Sequence, residues 1–316
     1  RSVTCPSSPK TDARTADAPG TRNWILLSSL SLIWGTAFMG VRIALDGIAP
    51  MWVAAGRTLI AGGCLTIAGQ FVGQGLNTIP SHRAWRFAIA FGVFAAALPF
   101  SLLSWGQQHV PSAFAGVSMG TVPLLTLLLA AIFTSEAGIG PRRIVGIVLG
   151  FFGLMALVGP GAFGGDSSLV QWGRVACASS AACYAVSNIV GRLAPPMPPI
   201  ALATAAMTTS GIILLPVALL TEGMPEIQTA SAGLALLWVA LGPTALAAFL
   251  QVLVLKSAGP LFLSLVSYMV PMWSVIFGIV LLSETLSVGV FVALGLILSG
   301  IAVAQSRQIG ALFARR

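Results

Sequence analysis

The chain has 316 residues, of which 57% are apolar and 8% charged, with a net charge of +8, a pI near 10.4 and a mean hydropathy of +0.95. A soluble globular chain carries roughly 25% charged residues to coat its surface, so this composition excludes a water-soluble fold and makes lipid the natural solvent. The basic excess sits in tails and short breaks and forms no stripe with interleaved aromatics, which argues against a nucleic-acid binder.

Residues 1–22 are rich in Ser, Thr, Ala and Pro, have no apolar core of a signal peptide, and read as a disordered tail. From Trp24 onward, long apolar runs alternate with short polar breaks. Spanning a bilayer takes roughly 20 apolar residues per helix. Ten windows meet that need: 24–45, 50–73, 85–107, 112–135, 142–163, 169–191, 197–221, 231–255, 260–283 and 287–306. The breaks carry turn chemistry, as at Asp46-Gly47, Gly138 to Pro141, Gly164 to Asp166, Pro195-Pro196 and Gly259-Pro260. Residues 308–316 form a second tail.

With ten spans and the N-terminus inside, thirteen of the sixteen Lys and Arg residues fall on the inner side. The outer breaks instead hold Asp46, Asp166, Glu222, Glu226 and Glu284. Lys and Arg in short loops set orientation, so the expectation is a multi-pass protein of the cell (inner) membrane with both termini cytoplasmic. The remaining basic residues, Arg42, Arg57 and Arg174, lie within or near helices.

The chain reads as two copies of one unit. Pro123 and Pro271, Glu136 and Glu284, and Gln108 and Lys256 are each 148 residues apart; Trp34 and Tyr184, like Arg42 and Arg192, are 150 apart. Five helices per copy is an odd number, so the second copy enters the membrane inverted. The expected fold is all-α, ten transmembrane helices as two inverted five-helix repeats, 23–163 and 164–307. Inverted repeats carry a site near the midplane between the halves and give access alternately from each side.

Charged and polar residues inside the spans are the site candidates. Arg57 lies seven residues after Pro50, about 10 Å into the helix at 1.5 Å per residue, and a charge at that depth must face protein or a water-filled cavity. It reads either as the attractor of a substrate carboxylate or as the partner of Asp46 or of neighbouring carbonyls. Lys256 ends the eighth window, either snorkelling to headgroups or gating. Glu136 and Glu284 end helices and read as structural carboxylates, with Glu284 favouring the start of the helix that follows it. Trp34, Phe38, Trp105, Gln108, Tyr184, Asn188, Gln251, Ser264 and Tyr268 supply uncharged hydrogen-bonding groups and aromatic walls suited to a polar ligand. Gly146, Gly150 and Gly153 suit close packing of the fifth helix on the tenth, at Gly295 and Gly300, within one chain. A monomer or weak homo-oligomer follows. Cys5, Cys64, Cys177 and Cys183 form no CxxC pair and neither a metal site nor a disulfide framework is expected; no cofactor is implied.

Trp34-Gly35 followed by Arg42, Pro50 with Arg57, the run from Ser112 to Glu136 around Pro123, and its counterpart from Gly259 to Glu284 around Pro271 resemble the EamA-type branch of the drug/metabolite transporter superfamily. The resemblance covers the chain from about residue 24. It implies an exporter or exchanger of amino acids or related metabolites, a central cavity lined by helices 1, 3, 4, 6, 8 and 9, and helices 5 and 10 packed at the rear. A phosphorylated-metabolite or drug transporter of the same superfamily is the alternative, the former a poorer match because the membrane interior holds no cluster of cations. An integral-membrane enzyme would need intramembrane nucleophiles or metal ligands, and no HExxH, GxSxG or paired-carboxylate motif is present. An ion channel would need a filter loop or charged rings.

Overall fold

A computed structural model describes residues 20–133, 140–159 and 169–306, which are helical and contain no strand. Glu136, Asp166 and both tails lie outside the described residues. The helices are α1 (Thr21–Leu45), α2 (Pro50–Phe71), α3 (His82–Gly106), α4 (Ser112–Phe133), α5 (Pro141–Val158), α6 (Leu169–Leu193), α7 (Pro199–Glu222), α8 (Ala230–Leu263), α9 (Val266–Val280) and α10 (Val288–Ala304). Seven of them, α1 to α5 with α7 and α8, are long and apolar enough to cross a membrane, while α9 and α10 are apolar but shorter. Helix α6 has 25 residues but is diluted by Gln171, Arg174, Ser179, Ser180, Ser187, Asn188 and Arg192.

Local chemistry sets the helix ends. Pro50, Pro141 and Pro199 open α2, α5 and α7, where a missing N–H costs nothing. Ser81 and Thr229 cap α3 and α8 by accepting from the amides of Ala84 and Ala232. Gly159 and Gly223, at φ 83° and 73°, close α5 and α7. Arg174 adds a hydrogen bond to the carbonyl of Val158, at 3.0 Å.

Two helices carry a π-turn, α3 at Val93–Ala97 and α8 at Leu241–Leu246. Their first residues are 148 apart, the spacing of Pro123 and Pro271. Pro243 has no N–H to give Val239, and the hydroxyl of Thr244 donates to that carbonyl instead, at 2.8 Å. In α3 the carbonyl of Gly92 accepts from Ser210 of α7, at 2.9 Å. In lipid a carbonyl such as that of Val239, deprived of its helical donor, needs such a partner.

The expected break at Gly259-Pro260 is present, with Gly259 at φ 81° and ψ 171°, but helical bonding resumes at once and joins Pro260–Leu263 to α8. A second interruption follows at Ser264 and Leu265, before α9. The turns there tighten, with Leu265, Ser267 and Tyr268 each donating to the carbonyl three residues back. Pro271 follows within the next two turns, where it cannot donate to the carbonyl of Ser267. The same tightening precedes Pro123 in α4, at Gly120 and Thr121.

The halves of the chain interlock. Helix α5 packs along α10 and α2 along α7; α6 lies against α3 and α4, and α1 against α8 and α9. Small residues permit the approach. A Cβ at Gly146 would meet the carbonyl of Gly300, and one at Gly153 would meet Ile297. A Cβ at Gly295 would meet nothing, so of that pair only Gly300 sits where a side chain could not fit against α5. Helices α2 and α7 cap each other: Glu222 accepts from the amides of Met51 and Trp52, at 3.0 and 3.2 Å, and Gln74 accepts from the amide of Ile200, at 3.1 Å. Glu284 accepts from the amides of Ser112 and Ala113, at 2.6 and 3.1 Å. It therefore caps α4, from the other half of the chain, rather than the helix that follows it.

These contacts define two opposite faces. On one, Trp24 meets Phe262 edge-on at 4.9 Å, Ser257 donates to Asn23, and Ser264 donates to Gln305. The start of α1, the break in α8 and the end of α10 thus lie together. On the other face are the Glu222 and Glu284 caps and the contact of Gln228 with Gly47.

Candidate functional site

A cavity of about 500 Å³ lies between the halves, lined by α1, α2, α3, α4, α6, α7, α8 and α9, within the range of small-molecule sites. Arg57 is its one formally charged lining residue among the described residues. Its side chain is 8% exposed. The guanidinium lies over the ring of Phe100, with Cζ 3.8 Å from the centroid, and Nε donates to Thr244 Oγ1 at 2.8 Å. The π-turn of α8 creates this arrangement. It turns the Thr244 proton toward Val239 and leaves the hydroxyl oxygen free to accept from Arg57.

The sequence left open a pairing of Arg57 with Asp46. That pairing is absent: Asp46 lies 3.8 Å from Arg42, and no carboxylate among the described residues reaches Arg57. The arginine is held by a neutral hydroxyl and an aromatic face, which fix its direction without cancelling its charge.

Of the expected site residues, Trp34, Phe38, Tyr184, Asn188, Gln251 and Ser264 line the cavity with Arg57. Several have their polar groups engaged. Trp34 Nε1 donates to the carbonyl of Pro243 at 3.1 Å, Asn188 donates to Thr126 at 3.1 Å, and Ser264 donates to Leu261 at 2.7 Å. Trp34 thus offers its ring to the cavity, while Tyr184 and Gln251 keep uncommitted polar groups among the described residues.

Trp105, Gln108, Tyr268 and Lys256 do not line it. Trp105 packs edge-on against His109 at 5.0 Å, and Gln108 and Lys256 are exposed. Tyr268 sits one residue off the face carrying Ser267, Val270 and Pro271, and its buried hydroxyl has no partner among the described residues. Gln107, which the sequence reading passed over for its neighbour, lines the cavity instead. The face of α3 runs through Phe91, Ala95, Phe100, Leu103 and Gln107. Its spacing lengthens by one residue across the π-turn, which rotates all that follows by about 100° relative to an unbroken helix. Counting regular turns from Phe91 arrives at Trp105, the wrong face. Among the described residues no three His, Cys, Asp or Glu side chains converge as a metal site would require.

Apolar helices of spanning length, interlocked halves and a cavity between them that holds Arg57 are those of a multi-pass membrane protein. The sequence matches the EamA-like transporter family twice, over residues 22–159 and 171–305, and the chain belongs to that family, a membrane transporter of the drug/metabolite superfamily. It is similar to YedA of Escherichia coli K12, an uncharacterized inner membrane transporter, with 28% identity over 86% of each chain. It is also similar to the protein PecM of Dickeya dadantii, with 26% identity over 90% of this chain and 91% of that one. A crystal structure 21% identical, covering 91% of this chain and 99% of its own, has a TM-score of 0.65 and shows the same fold.

Proposed function

We infer that this protein is a secondary transporter of the inner membrane that moves a small polar metabolite, an amino acid or related compound, by alternating access. Efflux or exchange is the expected mode. The observation that carries the reading is Arg57: an uncancelled charge inside a membrane is costly, and here it faces a cavity between two halves of the chain. Ten crossings, arranged as two inverted repeats, agree with the paired π-turns and with the meeting of the chain's two described ends on one face. The lining includes Pro260, Leu263 and Ser264 on that terminal face, while on the opposite face Glu222 and Glu284 join helices of the two halves. This arrangement fits a state open toward the termini, which the positive-inside rule assigns to the cytoplasm. A single cation suits one carboxylate better than a doubly charged phosphate.

The test is solute counterflow in proteoliposomes. Uptake of labelled solute that saturates and is accelerated by unlabelled solute on the far side is the expected outcome. Unsaturable flux would make the protein a channel, and no flux with any class of solute would remove the transport reading.

A further inference from the structure

The cavity contains an amide with nothing to bind. Gln107 is 1% exposed and lines the cavity, and neither Nε2 nor Oε1 has a hydrogen-bond partner among the described residues. Buried amides are almost always paired, and an unpaired one destabilises the fold. Gln107 is seven residues, two turns or about 10 Å along the helix, from Phe100. Phe100 is the residue whose ring lies under Arg57. Gln107 closes the helix end that follows Leu103, and it lines the same cavity as Arg57. Leu103 separates them on that face and Phe38 adds to the apolar lining.

A ligand matching this wall has three parts: an anion for Arg57, an apolar body across Leu103, and a neutral group that donates and accepts at Gln107. An ammonium group finds no carboxylate to neutralise it, because the lining contains no Asp or Glu among the described residues. We propose that, within the class of amino acids and related compounds, the cavity selects the organic monocarboxylate that bears a neutral amide-like group over the free zwitterion or a cation, and that Gln107 is the residue that reads the amide. This inference rests on the cavity being the substrate site.

The test is calorimetric binding to the purified full chain in detergent, with four rigid compounds of one shape. These are para-acetamidobenzoate, para-isopropylbenzoate, para-(aminomethyl)benzoate and para-acetamidobenzylamine. The first binds best. The isopropyl compound, lacking the amide, binds about tenfold more weakly, the equivalent of one neutral hydrogen bond, and the zwitterion and the cation bind more weakly still. Gln107→Leu removes the difference between the first two, and Gln107→Met serves the same purpose if the leucine variant does not fold. Equal binding of zwitterion or cation, an acetamido preference that survives in the folded variant, or no binding by any of the four overturns the inference. Saturable counterflow of other solutes in that last case would leave the transport reading standing, so the two failures are told apart.

Discussion

The two π-turns are the same backbone defect, 148 residues apart, yet they serve different ends. In α3 the turn is met from outside by Ser210 of α7, whose hydroxyl is shared between the carbonyls of Gly92 and Ala206, and the gain is a rotation of the helix that brings Phe100 and Gln107 to the cavity. In α8 the turn itself enters the site. Thr244 satisfies Val239 and holds Arg57, and the carbonyl of Pro243 anchors Trp34. A duplicated defect thus shapes one wall in the first half and supplies direct contacts in the second. Whether a polar group beside a π-turn is structural or functional depends on what its second hydrogen bond reaches.

Substitutions can separate the two roles. The largest effect is expected at Arg57. Arg57→Gln should reduce counterflow by about 10- to 100-fold, the range for a hydrogen bond to a charged group, while the melting temperature in detergent stays level or rises, because a buried charge without a carboxylate partner is removed. A fall in melting temperature of the size seen for a broken ion pair would show that the arginine is structural. Thr244→Val keeps the shape but leaves Arg57 Nε and the carbonyl of Val239 unpaired, so a roughly tenfold rise in KM, with a stability loss of about 1–3 kcal/mol, is expected. Ser210→Ala, beside the other π-turn, should cost about 1 kcal/mol of stability and leave KM unchanged. If it altered KM as much as Thr244→Val, the contrast between the two turns would collapse. The smallest effect should come from Glu284→Gln, which keeps the α4 cap but removes its charge and should lower stability by roughly 0.3–1 kcal/mol.

Hydropathy made the helices legible because lipid demands apolar runs, and the breaks were readable from Gly and Pro. The spacing of Pro123 and Pro271 disclosed the duplication. The face of α3 was not legible. Nothing in VFAAA, residues 93–97, announces a π-turn, and the extra residue it adds brings Leu103 and Gln107 to the face that an unbroken helix would give to residues 102 and 106. Of the two readings of Lys256, its exposed position suits snorkelling: the cavity face of α8 passes through Thr244, Ala248 and Gln251, and a lysine five residues beyond Gln251 points away from it. The depth of Arg57 could be counted from Pro50. Its partner could not, because Thr244 is 187 residues away and only the folded chain brings them together.

The most direct test of alternating access uses Ala95 and Ala248, small lining residues on the two π-turn helices. Each would be changed singly to Cys in a chain freed of its own four cysteines, and labelled with an impermeant thiol reagent in right-side-out and in inverted vesicles. Both positions should react from either side of the membrane, and transported solute should slow labelling from one side as it quickens it from the other. Reaction from one side alone, unmoved by any solute, would contradict the account.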